Sequence, residues 1–478
     1  VEYANMFLRN VKGDITKRCF LGCYFCFNAK ERKLASLVEL TYEEKKKGVD
    51  ELAGSGVKRI QLLGGEPLYS DRIFDLLDYI GSKGIKVGIN TNGVMLSEAN
   101  IKRILNVNCV DDIIISLDGL EKLHNKIRAV NIFNIIIDNL NTLIKLKKQK
   151  NVQLTVGVNT VLTGENTEDI YELLYVLDGI GIDYWHGLEL VKFDTNEKTF
   201  TLDEIIEILK KLGQIQQEVS LIIKPKFTFP FIVQYVNITY GFKLYLAEHF
   251  CGADLTFAYI DWSGRFYPCD RALPTNLNKD IYKNLKIHEL YVNKTSLDKC
   301  ITSDLFKAFS FVYADETIKA KACIGYPYHK KICYPCMVVL KNTDADKAYI
   351  YCLEMKQKIF TEWIQKFKSE CLNDEYGIPE NVILENVILY KNTSTMYLFD
   401  VKLDNIYEIE DNLIKAILVF LYNNSSKNKS DIFAEVLFSP YTEINVFDGY
   451  ESFVTSFTTA FTDIQQKGAI YDISKALL

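Results

Sequence analysis

Between Val11 and Val191 short apolar runs alternate with longer amphipathic ones, and this alternation restricts the fold more than any other feature of the chain. Apolar, β-type runs lie at Val11–Thr16, Val57–Leu63, Lys86–Asn90, Asp112–Leu117, Val152–Leu162 and Ile182–Val191. Helical patterns separate them at Thr41–Ala53, Asp71–Ser82, Ser97–Leu105, Ile132–Lys148 and Glu168–Leu177. Strands that are apolar almost throughout are buried on both faces, which predicts a parallel sheet covered by helices. Six such units predict an α/β fold containing a partial (β/α)6 barrel, and in barrels the chemistry sits at the C-terminal strand ends.

Those ends carry the unusual residues. The first strand leads into Cys19–Phe20–Leu21–Gly22–Cys23–Tyr24–Phe25–Cys26, three cysteines at C-x3-C-x2-C spacing. The second ends at Gly64–Gly65–Glu66–Pro67, the third at Thr91–Asn92–Gly93, the fourth at Ser116–Leu117–Asp118–Gly119, and the fifth carries Asn159–Thr160. Three thiolates can hold three irons of a [4Fe–4S] cube and leave the fourth iron open to a small molecule. A zinc site prefers four closed ligands, and the next cysteine is as far away as Cys109. Three unrelated core cysteines are the remaining reading, since free Cys is often buried. Taken alone, a Gly-Gly loop or a Ser-Leu-Asp-Gly strand end is an ordinary turn. Their succession along one set of strand ends is what carries information.

Composition narrows the partners. The chain has 478 residues, enough for two or three domains, and a net charge of −6 that disfavours a nucleic-acid partner. The basic run Lys145–Lys150 reads as the solvated end of a helix. No apolar run has transmembrane length and no signal-peptide pattern is present, so no membrane association is expected. Twelve cysteines in such a chain point to a reducing, cytoplasmic setting in which thiols serve metals or catalysis. The sequence opens on Val1 rather than methionine, so a few preceding residues are expected.

Cys19, Cys23 and Cys26, the GGEP loop, the SLDG strand and the following His124–Asn125–Lys126–Ile127–Arg128 together resemble the radical S-adenosylmethionine (SAM) enzymes that carry SPASM or twitch extensions. The resemblance covers about residues 11–340. It departs from the family at Phe20, where many members have Asn, and at Ala129, where many have Gly. It implies a [4Fe–4S] cluster on the three cysteines, with SAM chelating the open iron and being split to a 5′-deoxyadenosyl radical. Gly64 and Gly65 free the backbone to approach a ligand closely, and carbonyls beyond that strand then accept from the SAM ammonium. Glu66 orients the loop or adds an acceptor, with Pro67 beside it. Ser116 and Asn159 are placed to reach ribose or carboxylate oxygens, and Phe25 to face adenine. Asn92, Asp118 and Arg128 complete the expected cofactor-binding set, although His124 and Arg128 read equally well as surface polar groups.

A second cysteine group follows an aromatic-rich, helical bridge at Phe200–Phe250. The turn Trp262–Gly264 between two β-type runs predicts a hairpin that brings Cys251 and Cys269 together, and Cys333–Tyr334–Pro335–Cys336 is a tight C-x2-C pair. Four cysteines of this kind suit either a structural zinc or a closed cube. By resemblance to the twitch and SPASM families, Cys251, Cys269, Cys333 and Cys336 hold one auxiliary [4Fe–4S] cluster. A full SPASM run would add a second, for which Cys300, Cys323, Cys352 and Cys371 are available, but Tyr326 stands where its second cysteine belongs. Asp270 matches the aspartate that serves as proton acceptor in anaerobic sulfatase-maturating enzymes. The alternative is an ion pair with Arg271 or Arg265 that only orders the loop.

The expected organisation is therefore a partial barrel at 1–195, a helical bridge at 196–250, a small α+β SPASM/twitch iron–sulfur domain at 251–352 and a C-terminal α+β extension at 353–478. Within that tail a long helix is expected at 345–371, strands at Val382–Tyr390 and Met396–Leu403, and helices around Leu413–Tyr422 and Asp431–Phe438. The implied function is hydrogen abstraction from a peptide, as in ribosomal-peptide maturases that form thioether or carbon–carbon links or oxidise a side chain. A flavodoxin or ferredoxin would be the electron donor. The alternatives are a twitch-type dehydrogenase or epimerase acting on a sugar or alcohol, and a zinc-binding scaffold without redox chemistry.

Overall fold

A computed structural model describes residues 9–34, 38–190, 200–227, 230–245, 257–273 and 290–309, together with short separate stretches from 354 to 472. The chain divides into two compact units, Val1–Glu316 with Tyr334–Ala348, and Thr317–Cys333 with Tyr349–Leu478.

The first unit is built on one nine-stranded sheet. In chain order its elements are β1 (Asn10–Asp14), α1 (Tyr42–Gly54), β2 (Arg59–Leu63), α2 (Ile73–Ser82), β3 (Lys86–Thr91), α3 (Glu98–Ile104), β4 (Val110–Ser116), α4 (Glu121–Arg128) and α5 (Phe133–Lys150). They continue with β5 (Thr155–Leu162), α6 (Thr167–Ile180), β6 (Tyr184–Glu189), α7 (Leu202–Gln216), β7 (Ile222–Lys226), α8 (Pro230–Tyr240), β8 (Phe257–Ile260) and β9 (Phe266–Tyr267). The strands run in the spatial order β7-β6-β5-β4-β3-β2-β1-β8-β9, all parallel up to β8, with β9 closing an antiparallel hairpin at the edge.

All six expected β/α units are present. Three further strands join them in the sheet. The stretch expected as a helical bridge contains β7, which pairs with β6 in register His186↔Lys224. Its Pro225 cannot donate to a ladder, and β7 lies at the open edge of the sheet, where none is required of it. The hairpin around Trp262–Gly264 forms as expected, yet its first strand lies beside β1 with Lys12↔Tyr259 in register.

Side-chain parity separates two faces of the sheet. Val11, Ile60, Leu62, Val87, Ile89, Ile113, Ile115, Val156 and Val158 are buried, and they pack toward the helices. The intervening residues, among them Lys12, Asp14, Arg59, Gln61, Asp112, Asn159, Tyr184 and His186, line the inner face. Helix α1 begins on a capping box in which Thr41 and Glu44 satisfy each other's backbone N–H groups. α7 repeats the device with Thr201 and Glu204.

Among the described residues the second unit contains two three-stranded antiparallel sheets. One is formed by β11 (Val387–Lys391), β12 (Met396–Asp400) and β13 (Asn405–Ile409), and the other by β10 (Asn381–Leu384), β14 (Lys427–Asn428) and β15 (Ile470–Asp472). The run expected as one strand at Val382–Tyr390 is thus two strands in different sheets. Helix α9 (Tyr450–Gln466), absent from the sequence reading, buries Phe453, Phe457 and Phe461 at i, i+4 spacing, with Phe433 edge-on to Phe453 and Phe457.

Candidate active site

The cysteine loop leaves β1 at the C-terminal end of the sheet and is tied down at several points. Asn28 is fully buried and donates through Nδ2 to Asp14 Oδ2 at 2.7 Å, clamping the far side of the loop to the end of β1. Tyr259 on β8 donates to the same carboxylate oxygen. Arg32 Nη2 reaches the Cys19 carbonyl at 2.9 Å, and Glu39 accepts from Thr16 Oγ1 at 2.8 Å. Within the loop, the Cys26 N–H donates to the Cys23 carbonyl at 3.2 Å. All three thiols are free and partly exposed.

The GGEP loop packs directly on the backbone that leads into the cysteines. The Gly65 N–H donates to the Thr16 carbonyl at 2.7 Å, and the Glu66 N–H to the Arg18 carbonyl at 2.8 Å. A Cβ on Gly65 would lie 2.2 Å from that Arg18 oxygen, and one on Gly64, whose φ is +125°, would lie 2.5 Å from the Thr16 oxygen. Only glycine permits this approach. Pro67 and Leu68 are buried behind the loop. Glu66 is itself fully buried: Oε1 accepts from Thr91 Oγ1 at 2.7 Å and Leu68 N–H at 3.2 Å, and Oε2 from Asn92 N–H at 2.7 Å. Burial pushes its carboxyl above the usual range, and the donors at Asn92, Thr91 and Leu68 oppose that rise. Glu66 thus joins the ends of β2 and β3.

On the β4 side, Asp118 is fully buried and ion-paired with Arg128, which is also buried. Arg128 Nη1 reaches Cys23 Sγ at 3.4 Å, and its guanidinium lies 5.8 Å from the Phe25 ring centre. Arg128 is therefore a buried link between β4 and the cysteine loop rather than a surface group. Burial lowers its affinity for a proton, and Asp118 and Cys23 more than offset that. The Asp118 N–H donates to His124 Nδ1 at 3.1 Å. His124 is buried and held neutral, its pKa pulled down to about 3 by burial and by Arg128. Asn159 faces His186 Nδ1 at 3.0 Å, and Ser116 is half-buried beside Asn159 in register. Asn92 Oδ1 accepts from Val94 N–H at 3.0 Å, while its buried Nδ2 has no partner among the described residues.

Asp270 follows β9, and its carboxylate accepts from Lys12 Nζ on β1 at 3.0 Å. Burial raises its pKa, but Lys12, with Arg271 beyond it, lowers it more, so the group is held ionised. Cys269 is buried next to it. Cys300 is buried, its thiol pushed up to about 12 by burial. Cys109, also buried, donates to the Leu77 carbonyl at 3.3 Å. Cys251, Cys323, Cys333, Cys336, Cys352 and Cys371 lie outside the described residues. The supports at Asp14, Asn28, Arg32, Glu39 and Tyr259 escaped sequence reading because no local pattern marks them.

The donor set suits a cube. Burial raises the Cys19 and Cys23 thiols, Leu21 N–H and Arg32 draw Cys19 back, and Arg128 draws Cys23 back. Two guanidinium groups thus stand ready to compensate thiolate charge. Among the described residues no three ligand-type side chains converge on a single ion, and a cube, which takes each thiolate at a different iron, needs no such convergence.

Three thiols on a tethered loop, at the C-terminal mouth of a parallel β/α sheet and braced by a glycine-bent neighbour, define a class: enzymes built around an iron–sulfur cube with one open corner. The family model of the Radical SAM superfamily matches residues 14–176, so the chain carries a radical SAM domain there, of the kind that uses a [4Fe–4S] cluster and SAM. It is similar to the tungsten-containing aldehyde ferredoxin oxidoreductase cofactor-modifying protein of Pyrococcus furiosus, at 25% identity over 307 residues, covering 63% of this chain and 82% of that protein. It is also similar to a GTP 3′,8-cyclase of Synechocystis sp., at 28% identity over 221 residues, covering 45% of this chain and 63% of the cyclase, less than two thirds of its length. Among solved structures, native anSMEcpe with bound AdoMet and Cp18Cys peptide superposes with a TM-score of 0.54 at 16% identity, covering 77% of this chain and 99% of that one. At that identity the likeness concerns the fold. Among the described residues no helix is long and apolar enough to cross a membrane.

Proposed function

We propose that this radical SAM enzyme modifies a peptide, forming a thioether or carbon–carbon link or oxidising a side chain. The observation that carries the reading is the likeness, over 99% of its length, to a fold solved with AdoMet and a peptide together. When bound, the cluster and SAM supply a 5′-deoxyadenosyl radical able to take hydrogen from an unactivated carbon.

The chain's own residues would do the rest. Cys19, Cys23 and Cys26 hold the cluster. Phe25, Gly64, Gly65, Glu66, Pro67, Asn92, Ser116, Asp118, Arg128 and Asn159 form or brace the SAM site. Asp270, ionised beside Lys12, accepts the proton released when the substrate carbon is oxidised. Cys251, Cys269, Cys333 and Cys336 hold an auxiliary cluster in a SPASM/twitch module, with Cys323 and Cys352 candidates for a second. A flavodoxin or ferredoxin delivers the electron.

The test is an intact-mass shift on a candidate precursor peptide, incubated anaerobically with reconstituted enzyme, SAM and reductant. A shift dependent on Cys19, Cys23 and Cys26 is expected. A second reading, action on a small cofactor or nucleotide, is favoured by the names of the two curated relatives. Deoxyadenosine formation driven by a small molecule and by no peptide would establish it.

A further inference from the structure

The end of β1 carries a carboxyl whose hydrogen bonds do not balance as those of a carboxylate. Asp14 is 5% exposed, and Asn28 and Tyr259 are fully buried. Both side-chain donors that reach Asp14, Asn28 Nδ2 at 2.7 Å and the Tyr259 hydroxyl, converge on Oδ2. Asp14 Oδ1 is buried and has no partner among the described residues. The same holds for the amide oxygen of Asn28. A bare acceptor on each half of a buried, hydrogen-bonded pair calls for an explanation, because buried polar atoms are nearly always satisfied. An ionised carboxyl only accepts, so it can do nothing for an amide oxygen, whereas a protonated one has an O–H to give. One proton on Asp14 Oδ1 removes both deficits. A carboxylic acid and a primary amide close a ring of two hydrogen bonds, N–H to the acid's carbonyl oxygen and O–H to the amide's.

The surroundings favour the neutral form. Burial raises the Asp14 carboxyl well above the usual carboxylate range; the donors at Tyr259 and Asn28 oppose that rise, and the carboxyls of Asp261 and Asp270 add to it. Lys12, the cation on the same strand and face, is committed to Asp270.

We infer that Asp14 and Asn28 form a cyclic acid–amide pair, with Asp14 Oδ1–H donating to Asn28 Oδ1, and that Asp14 in this neutral form is the positioning residue that holds the cysteine loop to the end of β1 and, through Tyr259, to β8. The root of a loop that carries three thiolates then gains no further negative charge. Loss of the proton sets two acceptors against each other, so the clamp weakens as pH rises. The inference goes beyond the proposed function and is the same for a peptide or a small-molecule substrate.

Infrared spectroscopy of the anaerobically reconstituted enzyme near neutral pH tests it. The wild type is expected to show the carbonyl band of a protonated carboxyl, sensitive to D2O and missing in Asp14→Asn. In Asn28→Val the ring is opened and the band should move to higher frequency. Tyr259→Phe leaves the ring intact and should keep the band, at a somewhat higher frequency, which preserves the test if another variant does not fold. In urea titrations at stepped pH, the folding constant of the wild type relative to Asp14→Asn should fall by up to about tenfold per pH unit above the ordinary aspartate value of about 3.9. In that range the unfolded chain has released a proton that the folded chain keeps, and the loss ends once pH passes the folded value. Absence of the band from the wild type, or a ratio that does not change with pH, would overturn the inference. A band that ignores Asn28→Val would overturn the pairing. The peptide reading is untouched by these results and is decided by the mass shift on a precursor.

Discussion

Replacing Glu66 by Gln tests how the site is braced, because the geometry leaves the amide no satisfactory orientation. Glu66 Oε1 faces two donors, Thr91 Oγ1 at 2.7 Å and Leu68 N–H at 3.2 Å, and Oε2 faces a third, Asn92 N–H at 2.7 Å. Whichever way a Gln side chain turns, its NH2 confronts a backbone N–H in a buried site. Losing a charge-assisted hydrogen bond costs about 1.5–3 kcal/mol, and a buried donor left unsatisfied about 1–3 kcal/mol, so a local loss of about 2.5–6 kcal/mol is expected. At about 1.4 kcal/mol per factor of ten, amide exchange at Asn92 should accelerate about 60-fold or more if it proceeds by local opening. The assay is native-state hydrogen exchange read by mass spectrometry on a peptide spanning β3 and its exit, in parallel with iron content. Distant amides such as those of α7 should be unchanged. Unaltered exchange at Asn92 with full iron retention would refute the claim that Glu66 holds the ends of β2 and β3 together.

The remaining predictions concern neighbouring parts of the same site. Gly65→Ala places a methyl against the Arg18 carbonyl, and an overpacking penalty of about 1–3 kcal/mol should appear as a lower melting temperature and reduced iron uptake. His124 has its folded pKa depressed to about 3, so the unfolded chain binds the extra proton first as pH falls below the ordinary imidazole value of about 6.5. Stability should therefore be full above that value and decline as pH drops toward 3, and His124→Gln should flatten that slope in urea titrations at stepped pH. Lys12→Met removes the partner that lowers Asp270, so any acid limb of the pH–rate profile set by Asp270 should move to higher pH; a limb that stays in place would argue against Asp270 as the base.

The first six strands were legible because each is a run of apolar residues flanked by an amphipathic helix. The buried Val and Ile pairs that face the helices set that signal. β7 was not, since Ile-Ile-Lys-Pro-Lys carries its lysines on the inner face and a proline at an edge, so neither apolarity nor alternation marks it. α4 also passed as a loop. It is eight residues long, lacks a side-chain N-cap, and buries His124 and Arg128 rather than an apolar stripe. The cysteine loop and glycine-bent loop were readable from residue type and spacing. What positions them was not. Lys12 meets Asp270 across 258 residues and Tyr259 meets Asp14 across 245, and such pairings exist only once β8 has docked beside β1.

The central claim is that Cys19, Cys23 and Cys26 hold a cube whose open iron splits SAM. The most direct test is iron content and low-temperature EPR of the reduced, reconstituted enzyme, compared with the triple Cys19/Cys23/Cys26→Ala variant, with deoxyadenosine measured in both. The account predicts that the variant loses about four irons per chain, the signal that responds to added SAM, and deoxyadenosine formation, all together. Deoxyadenosine persisting in the variant, or zinc in place of iron in the wild type, would contradict it.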